Sequence, residues 1–255
     1  PTPLTAAASE ALVDSWPNPS FGLPEVKGIF YPYPWGQVEF FVIDDRWYRD
    51  PCEDPDTPEK TMLGAGQYQW LIERLEASTA VFKVLVSGSG WSKNKGVGGD
   101  AWSAYLHERN RLFDFIRDSE ISGVVLMSGD THIGELNVIP WSENGGYDFY
   151  DMVSSPLAQV IPDSWLERRP ERRIWPAYFQ GSNFGLVDFT MGDDPTMSFR
   201  LVDTFGRVVR GPFEVKASEL VNGVTSWPDK VEEEPRQRQE HYDAGEGYYE
   251  IKVDD

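Results

Sequence analysis

Two residues whose side chains can do chemistry, Asp130 and His132, follow an apolar run in the stretch VVLMSGDTHIGEL, residues 124–136. The run from Val124 to Met127 predicts a buried strand, so the carboxylate and the imidazole leave its carboxyl end two positions apart. Both side chains lie on the same side if the chain stays extended. Such a pair suits iron, zinc or manganese, and the carboxylate also suits calcium. The alternative is a loop aspartate that accepts hydrogen bonds from backbone amides, with His132 packed beside it.

A second group of charged residues lies in DDRWYRD, residues 44–50, which holds three acids, two arginines and a tyrosine. Arg46 and Arg49 are predicted to bind substrate, because guanidinium groups clamp anions through paired hydrogen bonds. A solvated loop whose charges pair with one another is the alternative. The glycine-rich segment GSGWSKNKGVGGD, residues 88–100, contributes Trp91 as a further predicted substrate-binding residue.

Other chemistry has weaker support in the sequence. No order of acid, base and histidine near GSGWS indicates a serine nucleophile, and VSGSG lacks the spacing and the lysine of a phosphate-binding P-loop. The ten tryptophans are more typical of core packing than of sugar-binding platforms. An aromatic-rich glycan-binding module nevertheless stays open as a rival class.

Apolar strands and amphipathic helices must position the candidate residues. VEFFVID and AVFKVLVSG predict two more buried strands. MLGAGQYQWLIERLEAS carries apolar residues at i, i+3, i+4 and i+7, and AWSAYLHERNRLFDFIRDS repeats the helical period. This alternation predicts parallel strands in right-handed βαβ units, whose ligands lie beyond the carboxyl ends of the strands. We therefore expect Asp44, the loop at residues 87–92, Asp130 and His132 at one edge of a sheet.

The two ends of the chain lack this alternation. Residues 1–36 hold seven prolines and predict an irregular leader. Residues 222–255 form a polar tail without a period, predicted to wrap the surface or to be partly disordered. In the packed part, residues 37–221, the segments NFGLVDFTM, TMSFRLVD and VVRGPFEVK predict a mostly antiparallel continuation, with Gly206 in the last turn.

Composition excludes several functional classes. The net charge of -19 repels nucleic acid and anionic membrane surfaces, so neither is an expected partner. A single cysteine rules out an internal disulfide framework. We find no signal peptide and no apolar run long enough for a membrane span. The length of 255 residues leaves one or two domains open, and the chain looks processed or cut from something longer.

Six segments together resemble one family. FFVIDDRWYRDP looks like LDxRxYRDP of the alkaline phosphatase D-like metallophosphatases, and MLGAGQYQWLIERLEASTAVFKVLVSG is similar to their LGxxQxxWLxxxLxxSxAxxKxxxSS. DAWSAYLHERNRLFDFI resembles ExWxxFxxERxRLxxxI, and VVLMSGDTHIGEL resembles VVxLSGDxHxAEL. YDMVSSPLAQ and NFGLVDF match two later strands of the family. The matches follow the family's order from Val38 to Phe189, which makes them more specific than any one motif.

The resemblance implies an α/β fold, the calcineurin-like metallophosphatase sandwich of two mixed β-sheets flanked by helices. Asp130 and His132 match the family's last metal-binding motif, in which the aspartate replaces the first histidine of GHxH. They are accordingly expected to be catalytic and to hold two or more divalent or trivalent ions of iron, calcium, zinc or manganese. Such ions bind phosphate and lower the pKa of a water molecule. The resemblance also implies a small phosphorylated substrate and an extracellular or periplasmic location.

The family's earlier motifs are absent from the chain. These are a Gly-Ser-Cys strand, a GDxxY segment and a DDHDxxxN segment, which supply most of the metal ligands. We therefore interpret residues 37–221 as the carboxyl-terminal half of a metallophosphatase domain, with the amino-terminal half on a separate chain, in a removed segment, or lost. A non-catalytic binding or structural protein that keeps the fold is the alternative. Smaller departures are Asp100 in place of glutamate and Pro156 in place of glycine.

Overall fold

The structure is a computed structural model that describes residues 3–95, 99–159 and 171–245. The helices are α1 (Pro3–Ser15), α2 (Gly64–Ala77), α3 (Leu106–Asp118) and α4 (Glu233–Asp243). The strands are β1 (Tyr31–Trp35), β2 (Val38–Val42), β3 (Phe82–Val86), β4 (Val124–Ser128), β5 (Glu135–Ile139), β6 (Phe149–Val153), β7 (Arg172–Arg173), β8 (Asn183–Thr190), β9 (Thr196–Asp203) and β10 (Val208–Lys216).

One mixed sheet and one smaller sheet organise the described residues. The larger has the order β1-β2-β3-β4-β6-β5-β7. In it β2, β3, β4 and β6 are parallel, whereas β1 and β5 run antiparallel to their neighbours. The predicted strands and the α/β class are confirmed. The second sheet, in the order β10-β9-β8, is antiparallel in its described strands, so the expectation of two mixed sheets holds only for the first.

The helices, the larger sheet and the smaller sheet form three layers. Consecutive residues of a strand point to opposite faces of a sheet, so a central strand contacts both neighbouring layers. On β6, Phe149 stacks on Phe113 of α3, with ring centroids 4.3 Å apart. The next residue, Tyr150, points the other way and meets Phe213 of β10 at 4.8 Å. The larger sheet therefore lies between the helices and the second sheet. Because both of its faces are covered, apolar residues predominate in its central strands.

Helix α2 begins where the sequence indicates. The hydroxyl of Thr61 accepts a hydrogen bond of 2.7 Å from the backbone N–H of Gly64, the first residue of the helix. Leu71 and Leu75 are fully buried, and Tyr68 and Ile72 pack against the core from partly buried positions. The i, i+3, i+4, i+7 stripe thus faces the sheet as predicted.

The ends of the chain contain more regular structure than we predicted. Residues 1–36 are not irregular throughout, because they include α1, rich in alanine, a strong helix former, and β1. Strand β1 keeps Pro32 and Pro34 because it lies at the sheet edge, where a missing N–H is tolerated. The polar tail contains α4, which polar side chains four residues apart support, among them the ion pair of Glu234 with Arg238.

None of the helices within the described ranges is both long and apolar enough to cross a bilayer.

Candidate active site

Three loops meet at the carboxyl edge of the larger sheet. They follow β2, β3 and β4, which are parallel neighbours and therefore end at the same edge. Asp44 follows β2, Ser87 follows β3, and Asp130 follows β4. The prediction that these segments share one edge of a sheet is confirmed.

Asp130 and His132 lie in a turn of unusual backbone geometry. Their φ angles are +63° and +59°, in the left-handed region that residues other than glycine rarely adopt. The chain is therefore not extended here, and the simple expectation that the two side chains share one side does not apply. The backbone N–H of His132 donates a hydrogen bond of 3.0 Å to the hydroxyl of Ser155, and the hydroxyl of Thr131 donates one of 2.9 Å to the carbonyl of Ile133. These bonds hold the turn.

A lysine that we had not singled out from the sequence pairs with Asp130. The Nζ of Lys95 lies 2.5 Å from Oδ2 of Asp130, and it also donates a hydrogen bond of 3.1 Å to the carbonyl of Asp100. The Asp130 side chain is 37% exposed, so this pair lies near the surface. The lysine links the β4 turn to the glycine-rich loop.

Two arginines converge on a single carboxylate oxygen. Nη1 of Arg46 lies 2.6 Å from Oδ1 of Asp100, and Nη1 of Arg49 donates to the same oxygen. Nη2 of Arg46 also donates to the hydroxyl of Ser89 at 3.3 Å. The arginines thus pair chiefly with Asp100, about fifty positions away along the chain, and less with the acids of their own loop.

The electrostatics of this cluster favour its charged forms. Burial raises the pKa of Asp100, but the hydrogen bonds and charges of Arg46 and Arg49 outweigh burial and lower that pKa to about 2. Burial lowers the pKa of Arg46, but its hydrogen bond to Asp100 and the charges of Asp45, Asp100 and Asp130 raise it overall. The effect of Asp130 on Arg46 indicates that the arginine cluster and the β4 turn lie within electrostatic range.

The two acids that follow β2 have different partners. Asp44 accepts hydrogen bonds from the backbone amides of Ile29, Arg46 and Trp47 at 2.8, 2.9 and 3.0 Å. Its carboxylate therefore fixes the loop. Asp45 is only 3% exposed, accepts from the hydroxyl of Ser87 at 3.1 Å and lies 3.4 Å from Nε of Arg46. We did not distinguish Asp45 from its neighbour in the sequence, where the only signal is the paired acids.

The prediction that Trp91 binds substrate is wrong. Its side chain is fully buried and stacks on Trp102, with ring centroids 4.6 Å apart and planes at 7°. Its backbone N–H donates a hydrogen bond of 3.0 Å to Asp151 on β6, and Nη1 of Arg109 donates to its carbonyl at 2.8 Å. Trp91 therefore anchors the glycine-rich loop in the core and presents no surface to a ligand.

The donor residues of the β4 turn do not make a complete metal site. Among residues 3–95, 99–159 and 171–245, no three His, Cys, Asp or Glu side chains are grouped so that they can hold an ion. Asp130 has the ammonium group of Lys95 as its partner instead. A metal ion needs about four to six donors, so the pair of Asp130 and His132 falls short.

Comparisons with known proteins found a matching family, a curated relative and similar solved structures. The model of the family described as PhoD-like phosphatase matches residues 2–175. Alkaline phosphatase D of Bacillus subtilis (strain 168) is 30% identical over 164 residues, which cover 56% of this chain and 27% of that protein. A solved structure of PhoD has a TM-score of 0.61 at 21% identity, covering 94% of this chain and 53% of that one. A purple acid phosphatase from yellow lupin seeds gives a TM-score of 0.44 at 14% identity, over 79% and 33%.

The likeness to the PhoD structure, at this low identity, bears on the fold alone. The chain spans 27% of the length of the curated relative and 53% of that of the PhoD structure.

Proposed function

The chain belongs to the PhoD-like phosphatase family, and on that premise we propose that the protein hydrolyses phosphate monoesters or diesters of small molecules. The proposed enzyme is a metal-dependent phosphoric ester hydrolase. Its activity requires donor residues beyond those described, which we place in an amino-terminal half on a separate chain or in a removed segment. We also propose that it acts outside the cytoplasm, in the periplasm or the extracellular space.

The convergence of Arg46 and Arg49 on one oxygen of Asp100 carries this proposal. The Asp100 side chain is 50% exposed, so its carboxylate is an internal anion at the surface of the site. Guanidinium groups bind phosphate with the same paired donors that they offer to a carboxylate. A phosphate group, with more charge and more acceptor oxygens, displaces Asp100 from between the two arginines.

Each side chain of the site then has a defined part. Arg46 and Arg49 bind and orient the phosphate group. Asp45 lies against Nε of Arg46 and holds the guanidinium in place. We propose Asp130 and His132 as two donors to ions of iron, calcium, zinc or manganese whose remaining donors come from elsewhere in the protein. Because the described residues do not complete that site, no step of the reaction is assigned to the ions.

Hydrolysis of p-nitrophenyl phosphate and of bis-p-nitrophenyl phosphate by the protein that contains both halves tests the proposal. We expect turnover, and we expect Arg46→Ala to raise KM roughly 10-fold to 100-fold, because it removes charge-assisted hydrogen bonds to phosphate. Arg207→Ala is the matched control, since Arg207 is a surface arginine, 71% exposed, that also pairs with an aspartate. Equal KM values in the two variants contradict the assigned role of Arg46.

A non-catalytic binding or structural protein is the second candidate. The contact between Lys95 and Asp130 favours it, because an ammonium group takes the position beside the carboxylate that a cation would take. Metal analysis of the protein that contains both halves separates the two. Two or more bound ions with turnover support the hydrolase. No bound ions and no turnover support the binding protein.

A further inference from the structure

A cavity of about 480 Å³ opens at the carboxyl ends of β2 and β3. Its volume falls in the range of small-molecule sites. Helix α1 lines one side of it through Ala8, Ser9 and Leu12. Apart from Ala8 and Leu12 of α1, the apolar side chains of its wall are Ile29, Val42, Ile43, Trp47 and Val86. Four of these five are only partly buried, so apolar surface faces the space.

The polar groups of the wall are nearly all occupied. Asp44 accepts three backbone hydrogen bonds, and Asp45 contacts the hydroxyl of Ser87 and Nε of Arg46. Arg46 belongs both to the cavity wall and to the cluster in which Arg49 and Asp100 meet. The Arg46 side chain therefore borders both the apolar cavity and the place where the Asp100 carboxylate lies.

We propose that the cavity holds the alcohol part of the phosphate ester, so that the substrates are phosphate esters of apolar alcohols. The inference rests on the proposed function, because it takes Arg46 and Arg49 to bind the phosphate group. With the phosphate there, the cavity beyond Arg46 receives the group attached to it. Apolar carbon gains by leaving water for such a wall. A hydroxyl-rich alcohol loses its hydrogen bonds to water there without replacement.

Binding of two phosphonates tests the cavity without any need for turnover. Hexylphosphonate and methylphosphonate carry the same anionic group and differ only in the length of the apolar chain. We expect hexylphosphonate to bind at least 10-fold more tightly to the protein that contains both halves, measured by titration calorimetry, because each buried methylene adds to affinity. Equal affinities overturn the inference. They are also the result if another segment of the protein fills the cavity.

A pair of alanines on α1 provides matched variants. Ala8 lines the cavity from an exposed position, whereas its neighbour Ala7, which is also exposed, is not part of the wall. Ala8→Trp places an indole in the cavity without displacing a core side chain. We expect it to bring the affinity ratio of the two phosphonates close to one, while Ala7→Trp leaves the ratio unchanged. An unchanged ratio in folded Ala8→Trp overturns the inference.

A second pair keeps the test decisive if Ala8→Trp fails to fold. Leu12→Asp places a carboxylate in the cavity wall, and Val13→Asp places one on a residue that is 43% exposed. Only Leu12→Asp is expected to weaken hexylphosphonate, by 10-fold or more. Equal weakening, or none, in the two variants overturns the inference.

Turnover of matched esters distinguishes a failure of the inference from a failure of the proposed function. Hexyl phosphate and sorbitol 6-phosphate both release a primary six-carbon alcohol, and we expect a kcat/KM at least 10-fold higher for the hexyl ester. If neither ester is hydrolysed while the phosphonate ratio holds, the proposed function fails and the cavity remains an apolar binding site. If both are hydrolysed at equal rates, the inference fails and the function stands.

Discussion

The left-handed backbone at Asp130 and His132 places two polar side chains where a strand meets its loop. For a residue with a Cβ atom this conformation costs roughly 1–2 kcal/mol, and aspartate tolerates it better than most. Hydrogen bonds from Thr131 and from the backbone of His132 hold the turn in this conformation. Backbone of this kind concentrates at functional sites. The geometry therefore agrees with a chemical role for the pair.

Glycine and alanine at position 132 test this strain. We expect His132→Gly to be more stable than His132→Ala by about 1 kcal/mol, because glycine adopts a φ of +59° without a Cβ clash. The same two substitutions at Arg74, exposed in the interior of α2, should give the opposite order, since alanine is favoured over glycine in a helix interior by about 1 kcal/mol. Urea unfolding of the four variants measures both differences. The same order at both positions contradicts the argument.

Asp100 competes with any anion for Arg46 and Arg49. We expect Asp100→Asn to lower the inhibition constant of inorganic phosphate several-fold, because asparagine removes the carboxylate charge that the two guanidinium groups share. Asp118→Asn is the control, since Asp118 pairs with Arg117 and its side chain is 65% exposed. A weaker inhibition in Asp100→Asn than in the control means that Asp100 orders the arginines for phosphate and does not compete with it.

The pH dependence of the same pair has a definite sign. The pKa of Asp100 is about 2 in the folded protein, below the ordinary value of 3.8. Its stabilising contribution is therefore fully present above about pH 4 and is lost as the pH falls towards 2. Because half of the side chain is exposed, solvent screening keeps the contribution small. Asp100 consequently keeps its charge across neutral pH.

Helix α3 is tied to the start of α2 by one buried carboxylate. Glu108 is 2% exposed and accepts hydrogen bonds from the hydroxyl of Thr61 at 2.9 Å and from the amides of Met62 and Leu63 at 2.5 and 3.1 Å. These amides precede α2, where the helix dipole also favours a negative charge. The carboxylate thus fixes the angle between two helices that cover the sheet.

Removal of this carboxylate should destabilise the whole layer. We expect Glu108→Ala to lower the free energy of unfolding by about 2–4 kcal/mol, because several buried donors lose a charged acceptor. Glu76→Ala, at an exposed position of α2, should stay within about 0.5 kcal/mol. Urea unfolding monitored by circular dichroism compares them. A loss for Glu108→Ala no larger than for Glu76→Ala contradicts this account.

Strand β6 holds the glycine-rich loop through Asp151, which is buried. Burial raises the pKa of Asp151 to about 7, although hydrogen bonds from Ser128 and from the backbone of Trp91 favour the charged form. The unfolded carboxyl titrates near 3.8, so the folded state binds more protons between about pH 4 and pH 7. The stabilising contribution of the protonated Asp151 carboxyl is therefore fully present below this window and is lost as the pH rises through it. Each pKa unit corresponds to about 1.4 kcal/mol, so the loss is on the order of 4 kcal/mol at most.

The asparagine variant removes this titration. We expect Asp151→Asn to flatten the decline of stability between pH 4 and pH 7, since an amide takes up no proton. Asp188→Asn, which changes an exposed aspartate of β8, should keep the decline. Urea unfolding across the pH range provides the comparison. Parallel curves for both variants mean that Asp151 is charged throughout in the folded protein.

The strands and helices that carry the site were predictable because their signals are local. An apolar run identifies β2, β3 or β4 wherever the partner strands lie, and four apolar residues identify the buried stripe of α2. Once those strands are identified, the polar residues at their carboxyl ends can be read from the sequence. The sequence pattern did not predict α1 or β1. The prolines of this segment indicated irregular structure, although α1 is rich in alanine and β1 lies at a sheet edge, where proline is tolerated.

The partners of the site residues were not predictable from local pattern. Lys95 and Asp130 are 35 residues apart, and Arg46 and Asp100 are 54 apart, so only the fold brings them together. The prediction for Trp91 was wrong for the same reason, because its contacts are with residues distant in the sequence. A tryptophan among glycines and serines suggests an exposed loop, but Trp102 and the core bury it. Contacts between distant segments decide what a loop residue can do.

At the scale of the molecule, a chain with a net charge of -19 gathers three cations at the carboxyl edge of its larger sheet. Arg46, Arg49 and Lys95 all contact Asp100, two through its carboxylate and one through its carbonyl. Each cation already has an acid beside it. The described residues therefore offer a place for an anionic group, whereas no three of their His, Cys, Asp or Glu side chains are grouped so that they can hold a metal ion.

That imbalance leads to a prediction about the chain by itself. We expect the 255-residue chain to hold no ion tightly and to show no turnover of p-nitrophenyl phosphate, because Asp130 and His132 supply two donors where an ion needs about four to six. A form that also contains the missing ligand motifs should turn the ester over and lose that activity to a chelator. In that form His132→Ala should reduce metal content and rate together, whereas His107→Ala, on the exposed face of α3, should change neither. Turnover by the chain alone that resists chelators, or full activity in His132→Ala, contradicts the donor count and with it the assignment of this turn to a metal site.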